Sequence, residues 1–280
     1  MAIRIVTDSA SDLPSPVAQA NGIAMAPLYV NLDGGSFRDG VDIDADLFYS
    51  RLAGLAQLPT TSQPSVADFQ EVYGELLEQG HRVVSIHISS RLSGTCNSAT
   101  QAAESLGAQA QIEVVDSQLA GGALGLLALS AARWSGETSD HRQVAQRARQ
   151  AIGRNHGFVL VDTLKYLQMG GRIGKAQAFL GGALQVKPIL GIRDGAPYPL
   201  ERPRTHRRAI ARIVEFVREL RPIEQLHVSY TTDRAHAQAV RDQLADLVDP
   251  ERVIESRFGP VLGAHLGPGA IGVAATAGPG

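Results

Sequence analysis

Short β-branched runs alternate with helix-length segments along this chain, and that alternation constrains its fold more than any other feature. IRIVTD at 3–8 leads into Ser9, and GIAMAPLYV follows after a helix-length gap that opens at Pro14-Ser15-Pro16. DADLFYSRLAGL and SVADFQEVYGELLEQ carry helical periodicity, RVVSIHI reads as a buried strand, SGTCNSATQAAESL as a helix and IEVVD as a strand. The apolar stretch LAGGALGLLALSAARW at 119–134 closes the series as a buried helix. Parallel strands need a crossover long enough to hold a helix, so the pattern predicts an α/β domain with a mainly parallel sheet. Ligands of such sheets bind beyond the carboxyl ends of the strands.

A polar break, SGETSDHRQ, precedes one more helical stretch, and GFVLVD at 157–162 begins a second series. LQVKPILGIRDGAPYPLE reads as two strands around an Asp194-Gly195 turn, helices are expected at about 205–220 and 233–247, and AIGVAAT reads as a C-terminal strand. A hairpin beside helices points to a mixed sheet. The expected fold class is α/β with two α/β domains, residues 1–155 around a mainly parallel sheet and 156–280 around a mixed one.

With 280 residues, 44% apolar and 19% charged, the chain is long enough for two such cores. Its formal net charge of −2 supplies no excess of positive charge to hold nucleic acid or anionic lipid. Cys96 is the only cysteine, which excludes an intramolecular disulfide, a thiolate metal cage and C-x-x-C chemistry. The opening MAIRIVTDSASDLP shows no apolar run with a cleavage site, and 119–134 is broken by glycine and shorter than the ~20 residues of a membrane span. A cytoplasmic protein without stable membrane insertion is expected.

Familiar motifs fail on inspection. GPGAIG at 267–272 fits G-x-G-x-x-G but lacks the following helix and acid. DIDAD at 42–46 imitates a calcium loop, yet Leu47 stands where glycine is needed and Ala53 where glutamate is needed, so it reads as a helix N-terminus. GGRIGKA at 170–176 has the wrong spacing for a phosphate loop, and no G-x-S-x-G elbow is present. Neither a metal nor a cofactor is expected.

Three hydroxyl- or glycine-rich stretches remain. In SSRLSGTCNSA at 89–99, Ser93 before Gly94 and Thr95 looks like the N-cap of the next helix, which leaves free backbone N–H groups and a positive dipole end beyond the strand. In PTTSQPS at 59–65, Thr60, Thr61 and Ser62 precede a helix that Ser65 caps with Asp68 three residues on. GPVLGAHLGPGAIG at 259–272 sets His265 between glycines that let backbone approach a ligand. Each stretch alone fits turn or cap chemistry as well as a binding site. Arg172 in GGRI and the run RPRTHRR at 202–208 fit solvated faces or docking of a phosphate or an acidic partner.

Taken in order, VTDSASDLP, PTTSQPS, SSRLSGTCNSA, VVDSQLAGGALG, VDTLKYLQMGGRIGKAQAFLGGALQVKPIL, RPRTHRRA and GPVLGAHLGPGAIG resemble the DegV family, the fatty-acid-binding subunits of bacterial fatty acid kinases. The likeness spans about residues 4 to 273. It implies two α/β domains with a long-chain fatty acid between them, its carboxylate hydrogen-bonded by the threonine of T-S-Q-P and the serine of S-G-T, here Thr61 and Ser93. Ser62, Gly94 and Thr95 are expected beside them, and His265 matches the histidine that lies near the carboxylate. Arg172 and Arg204 match arginines expected to face the catalytic kinase subunit; Cys96, Pro203 and His206 fall at positions where the likeness is weak. The resemblance thus implies a carrier without turnover of its own. The rival is a serine hydrolase or acyltransferase with Ser93 as nucleophile and His265 as base, for which no third member is visible.

Overall fold

In the computed structural model, which describes residues 2–55, 57–108, 111–180 and 186–278, the first strand and helix series builds a parallel sheet. Its elements are β1 (Ile3–Asp8), α1 (Ser15–Ala20), β2 (Ile23–Ala26), β3 (Tyr29–Leu32), β4 (Gly35–Arg38), α2 (Ala45–Leu52), β5 (Thr60–Ser62), α3 (Val66–Glu78), β6 (Arg82–His87), α4 (Thr95–Ser105) and β7 (Ile112–Asp116). Helices α5 (Gly122–Ser135) and α6 (His141–Ala151) lead to β8 (Asn155–Leu160), α7 (Lys165–Met169), β9 (Ile189–Arg193) and β10 (Ala196–Glu201). The chain ends with α8 (His206–Arg218), β11 (Ile223–Tyr230), α9 (Arg234–Leu244), β12 (Val253–Arg257), α10 (Pro260–Leu266) and β13 (Ile271–Ala277).

The first sheet has the order β2-β1-β6-β7 with every pair parallel. The second has the order β10-β9-β8-β13-β11-β12 and is mixed, since only β11 and β12 run parallel. The predicted hairpin turn is present: Asp194 and Gly195 both have positive φ, 51° and 76°, the geometry of a tight two-residue turn. Leu184 and Gln185, at the start of the stretch read as that hairpin, lie outside the described residues. Asp44 caps α2, and Ser65 with Asp68 forms a reciprocal capping box at α3.

Helix α5 is the architectural centre. Its residues from Gly122 to Ala131 are all buried, as expected of a helix apolar all round. One flank packs on β1 and the other on β8, β11 and β13, so one helix serves both sheets. Gly125 permits the close approach, because a Cβ there would stand 2.8 Å from the Ser11 carbonyl oxygen.

Two local readings are corrected. GIAMAPLYV is two strands in different sheets, since Pro27 has no N–H to continue a ladder and the chain turns away into β3. Thr60–Ser62 is strand β5, paired antiparallel with β3 in a small third sheet ordered β4-β3-β5. Residues 260–266, to which the sequence reading gave no element, form helix α10, and Gly263 is its contact point against Tyr49 and Phe48, where a side chain would collide.

Candidate functional site

Strand pairing sets the direction of Thr61. In β5 it faces inward between the exposed Thr60 and Ser62, and its Oγ1 lies 2.8 Å from His265 Nε2 on α10. The second hydroxyl group comes from the β6–α4 loop. Gly94, not Ser93, is the N-cap of α4, and Ser93 Oγ instead pairs with Thr95 Oγ1 at 2.8 Å. Gln63 holds the two segments together: its side chain lies directly against Gly94, where a Cβ would clash, and its Nε2 donates to Ser98 Oγ at 3.2 Å. The loop is also tied to the second half of the chain, since Ser89 Oγ donates to the Gly195 carbonyl at 2.7 Å.

Arg172 completes this cluster. Half-buried, it donates from Nε to the Leu92 carbonyl at 3.1 Å and from Nη1 to the Gly170 carbonyl at 2.7 Å. Burial, helped by the Arg172 charge, pushes His265 down to about 4, so its imidazole is neutral at pH 7. With the imidazole proton on Nε2, Thr61 keeps its own hydroxyl proton for a ligand. The Ser93–Thr95 pair likewise shares one bond and leaves one proton to offer.

Thr61, Ser62, Ser93, Arg172 and His265 all line one cavity of about 350 Å³, within the ~300–1,000 Å³ span of small-molecule sites. Small residues on the second sheet create the room: Gly157 of β8 and Gly272 and Ala274 of β13 form part of its floor. Aliphatic and aromatic walls come from Leu190, Leu262 and Phe258. Gly94 and Thr95, expected beside the ligand, are not among the residues that line the cavity, and Arg204 is elsewhere, exposed at a second depression with Lys165, Lys187 and Asp162. Among the described residues no group of His, Cys, Asp or Glu is placed to hold a metal, and no helix is long and apolar enough to cross a membrane.

A chain of Asp8, His87 and Ser85 has the order of a hydrolase triad, with contacts of 2.9 and 2.6 Å. All three are fully buried, Tyr73 donates to the serine, and Asp8 also accepts the Ile88 N–H. The chain therefore anchors the exit of β6 and with it the loop that carries Ser93.

Beneath α10 lie two buried acids. Asp12 accepts the Gly259 N–H at 2.8 Å and Asp39 the Val261 N–H at 3.4 Å, which fixes the start of the helix that carries His265. Burial pushes Asp39 up to about 7 against the hydrogen bonds from Ser9 and Val261, and pushes Asp12 well above the carboxylate range. The unfolded chain releases the Asp39 proton near pH 4 and the native state near pH 7, so this group's stabilising share is lost as pH rises between them. Asp39→Asn removes that loss: its stability relative to the parent, read as the difference in unfolding free energy in urea, is expected to be about 2 kcal/mol greater near pH 8.5 than near pH 5.5. Equal differences at both pH values would mean that Asp39 ionises as in the unfolded chain.

The family model described as "Uncharacterised protein, DegV family" matches residues 2–278. The chain belongs to the DegV family. Among its DegV relatives are a DegV domain-containing protein of Deinococcus radiodurans, 38% identical with 98% of each chain covered, and Protein DegV of Bacillus subtilis, 34% identical with 98% of each covered. Solved DegV structures share the fold. That of the Thermus thermophilus DegV family protein, described by its fatty acid binding, matches with a TM-score of 0.92 at 35% identity over 99% of this chain and 100% of that one. Bacillus subtilis DegV, described as a fatty acid binding protein, matches with a TM-score of 0.86 at 32% identity over 99% of both chains. A stearic acid-binding protein of Eubacterium ventriosum matches with a TM-score of 0.85 at 29% identity over 97% of both.

In this DegV chain the sequence motifs that carry Thr61, Ser93, Arg172 and His265 converge on one cavity, whereas Arg204 stays apart. Gln63, the latch between the two hydroxyl segments, was not singled out; its place after Thr61-Ser62 was the available signal. His227 and Ser229 of β11, which also line the cavity, sit in a strand pattern that marks nothing but a strand.

Proposed function

We propose that this protein buries a long-chain fatty acid in the cavity and presents its carboxylate to a separate kinase in the cytoplasm, with no turnover of its own. The observation that carries this reading is the joining of a mostly apolar cavity to two hydroxyl groups, Thr61 and Ser93, from separate segments. A sixteen-carbon tail brings about fourteen methylenes, and at ~0.8 kcal/mol each their burial contributes on the order of 10 kcal/mol before entropic losses. The head group sets the register, because a buried carboxylate without hydrogen bonds costs several kcal/mol.

Hydroxyl donors solvate the carboxylate yet leave an oxygen lone pair free. That oxygen attacks the γ-phosphorus of ATP held by the kinase, ADP departs, and an acyl phosphate forms. Arg172, beside the hydroxyls, steadies the added negative charge, His265 keeps the Thr61 hydroxyl proton turned to the ligand, and exposed Arg204 contributes to docking of the kinase. The hydrolase alternative finds less support: His265 Nε2 is turned to Thr61 and Ser93 Oγ to Thr95, so nucleophile and base do not meet.

Denaturing the purified protein is expected to release about one equivalent of fatty acid by mass spectrometry, with no labelling by a fluorophosphonate probe. Labelling of Ser93 would overturn the carrier reading in favour of acyl chemistry.

A further inference from the structure

The two hydroxyls of the head-group site belong to different frames. Thr61 is fixed by the pairing of β5 with β3 and by His265 of α10. Ser93 is fixed within the β6–α4 loop, where the Leu92 and Ser93 N–H groups donate to the Ser89 carbonyl and Arg172 donates to the Leu92 carbonyl. Further bonds of that loop run to Asp116 and Gly195. Among the described residues a single hydrogen bond joins residues 60–63 to the loop or to α4, from Gln63 Nε2 to Ser98 Oγ at 3.2 Å.

Of the residues that line the cavity, Ser62 and Gln63 are the exposed ones, so among the described residues the cavity meets solvent at the end of β5, next to Thr61. A surface glutamine keeps its rotamer freedom in water unless something holds it. What holds this one is a slot at Gly94. With φ −76° and ψ 9°, Gly94 has backbone angles open to other residues, so the course of the chain does not call for glycine there. Room does: a Cβ would stand 2.6 Å from Gln63 Nε2 and 2.7 Å from its Cδ, and the amide fills the place of the missing side chain. The slot lies one residue from Ser93. Two hydroxyls grip one carboxylate only when both oxygens reach it, and placement within about 0.5 Å decides whether they do. A neutral alcohol is satisfied by either hydroxyl alone, whereas a buried carboxylate needs both.

We infer that Gln63 is a positioning residue: it holds the Ser93 loop at the spacing from Thr61 at which both hydroxyls bond one carboxylate, and so sets the preference of the cavity for an acid over a neutral chain of the same length. This rests on the fatty-acid reading above and adds to it the residue that governs head-group selection.

The test compares hexadecanoic acid with 1-hexadecanol by displacement of a fluorescent fatty acid. Gln63→Ala is expected to weaken the acid about tenfold, the scale of one charged hydrogen bond, and to leave the alcohol within about threefold of the parent. In that background Ser93→Ala is expected to weaken the acid by less than about twofold more, because Ser93 has already left the carboxylate, while Thr61→Val keeps its roughly tenfold effect. Gly94→Ala, which drives the amide from its slot, is expected to reproduce Gln63→Ala; the two together bind no more weakly than Gln63→Ala alone, since the shortened side chain vacates the room that the new Cβ takes. Gln63 is exposed, so its truncation carries the test if Gly94→Ala fails to fold. Equal losses for acid and alcohol, a Ser93→Ala effect that stays about tenfold without Gln63, or additive losses from Gln63→Ala and Gly94→Ala overturn the inference and leave the fatty-acid reading standing. A parent that takes up no fatty acid overturns both.

Discussion

Thr61→Val combined with Ser93→Ala is expected to weaken hexadecanoic acid binding by about a hundredfold or more, and each single change by about tenfold. A hydrogen bond to a charged group contributes ~1.5–3 kcal/mol, and a carboxylate that stays buried without it bears the desolvation penalty instead. The two hydroxyls reach the site from different segments, β5 and the β6–α4 loop, so neither variant removes the other's donor. Displacement of a fluorescent fatty acid measures the affinities, and Thr61→Ser, which keeps the hydroxyl, is the matching control. A double variant that binds within threefold of the parent would remove Thr61 and Ser93 from the head-group site.

Stripping the proposed fatty acid from the cavity is expected to lower the melting temperature by about 10 °C. A ligand present at about 1,000 times its Kd stabilises the native state by ~4 kcal/mol, and for a domain of this size each kcal/mol shifts the midpoint by ~2–4 °C. The physical origin is the cavity of about 350 Å³ between α5, α10 and the second sheet, whose walls lose their contacts when it empties. Calorimetry of delipidated and reloaded protein reads the shift directly. Ala274→Leu, which pushes a side chain into that space, is expected to shrink the response to added lipid; an unchanged shift would place the lipid elsewhere.

Long-period patterns were legible in the sequence, and contacts set by distant partners were not. The parallel sheet followed from IRIVTD, RVVSIHI and IEVVD with helices between them, the α3 start from Ser65 and Asp68, and the β9–β10 turn from Asp194-Gly195. Strand β5 carries only Thr60, Thr61 and Ser62, with no apolar alternation, and exists because β3 offers it a ladder. Helix α10 carries Gly263 against propensity between capping glycines at 259 and 267, and it is held by Asp12, Asp39 and the contact of Gly263 with Tyr49. Arg172 looks solvated in sequence, yet the carbonyls of Leu92 and Gly170 turn it inward. Side-chain chemistry at the candidate site was readable as motifs; the geometry that joins Gln63 to Gly94, or His227 to Ser256, was not.

Helix α5 is a party wall between the two halves of the molecule. Its flanks are interior on both sides, and the largest apolar cluster of the chain enrols Ile5 and Val84 from the first sheet together with Ala274 from the second. Each half has a further apolar cluster of its own, but the one along α5 belongs to both. The glycines at the head of this shared wall, Gly121 and Gly122, also line the cavity, so an occupant braces both halves at their common seam.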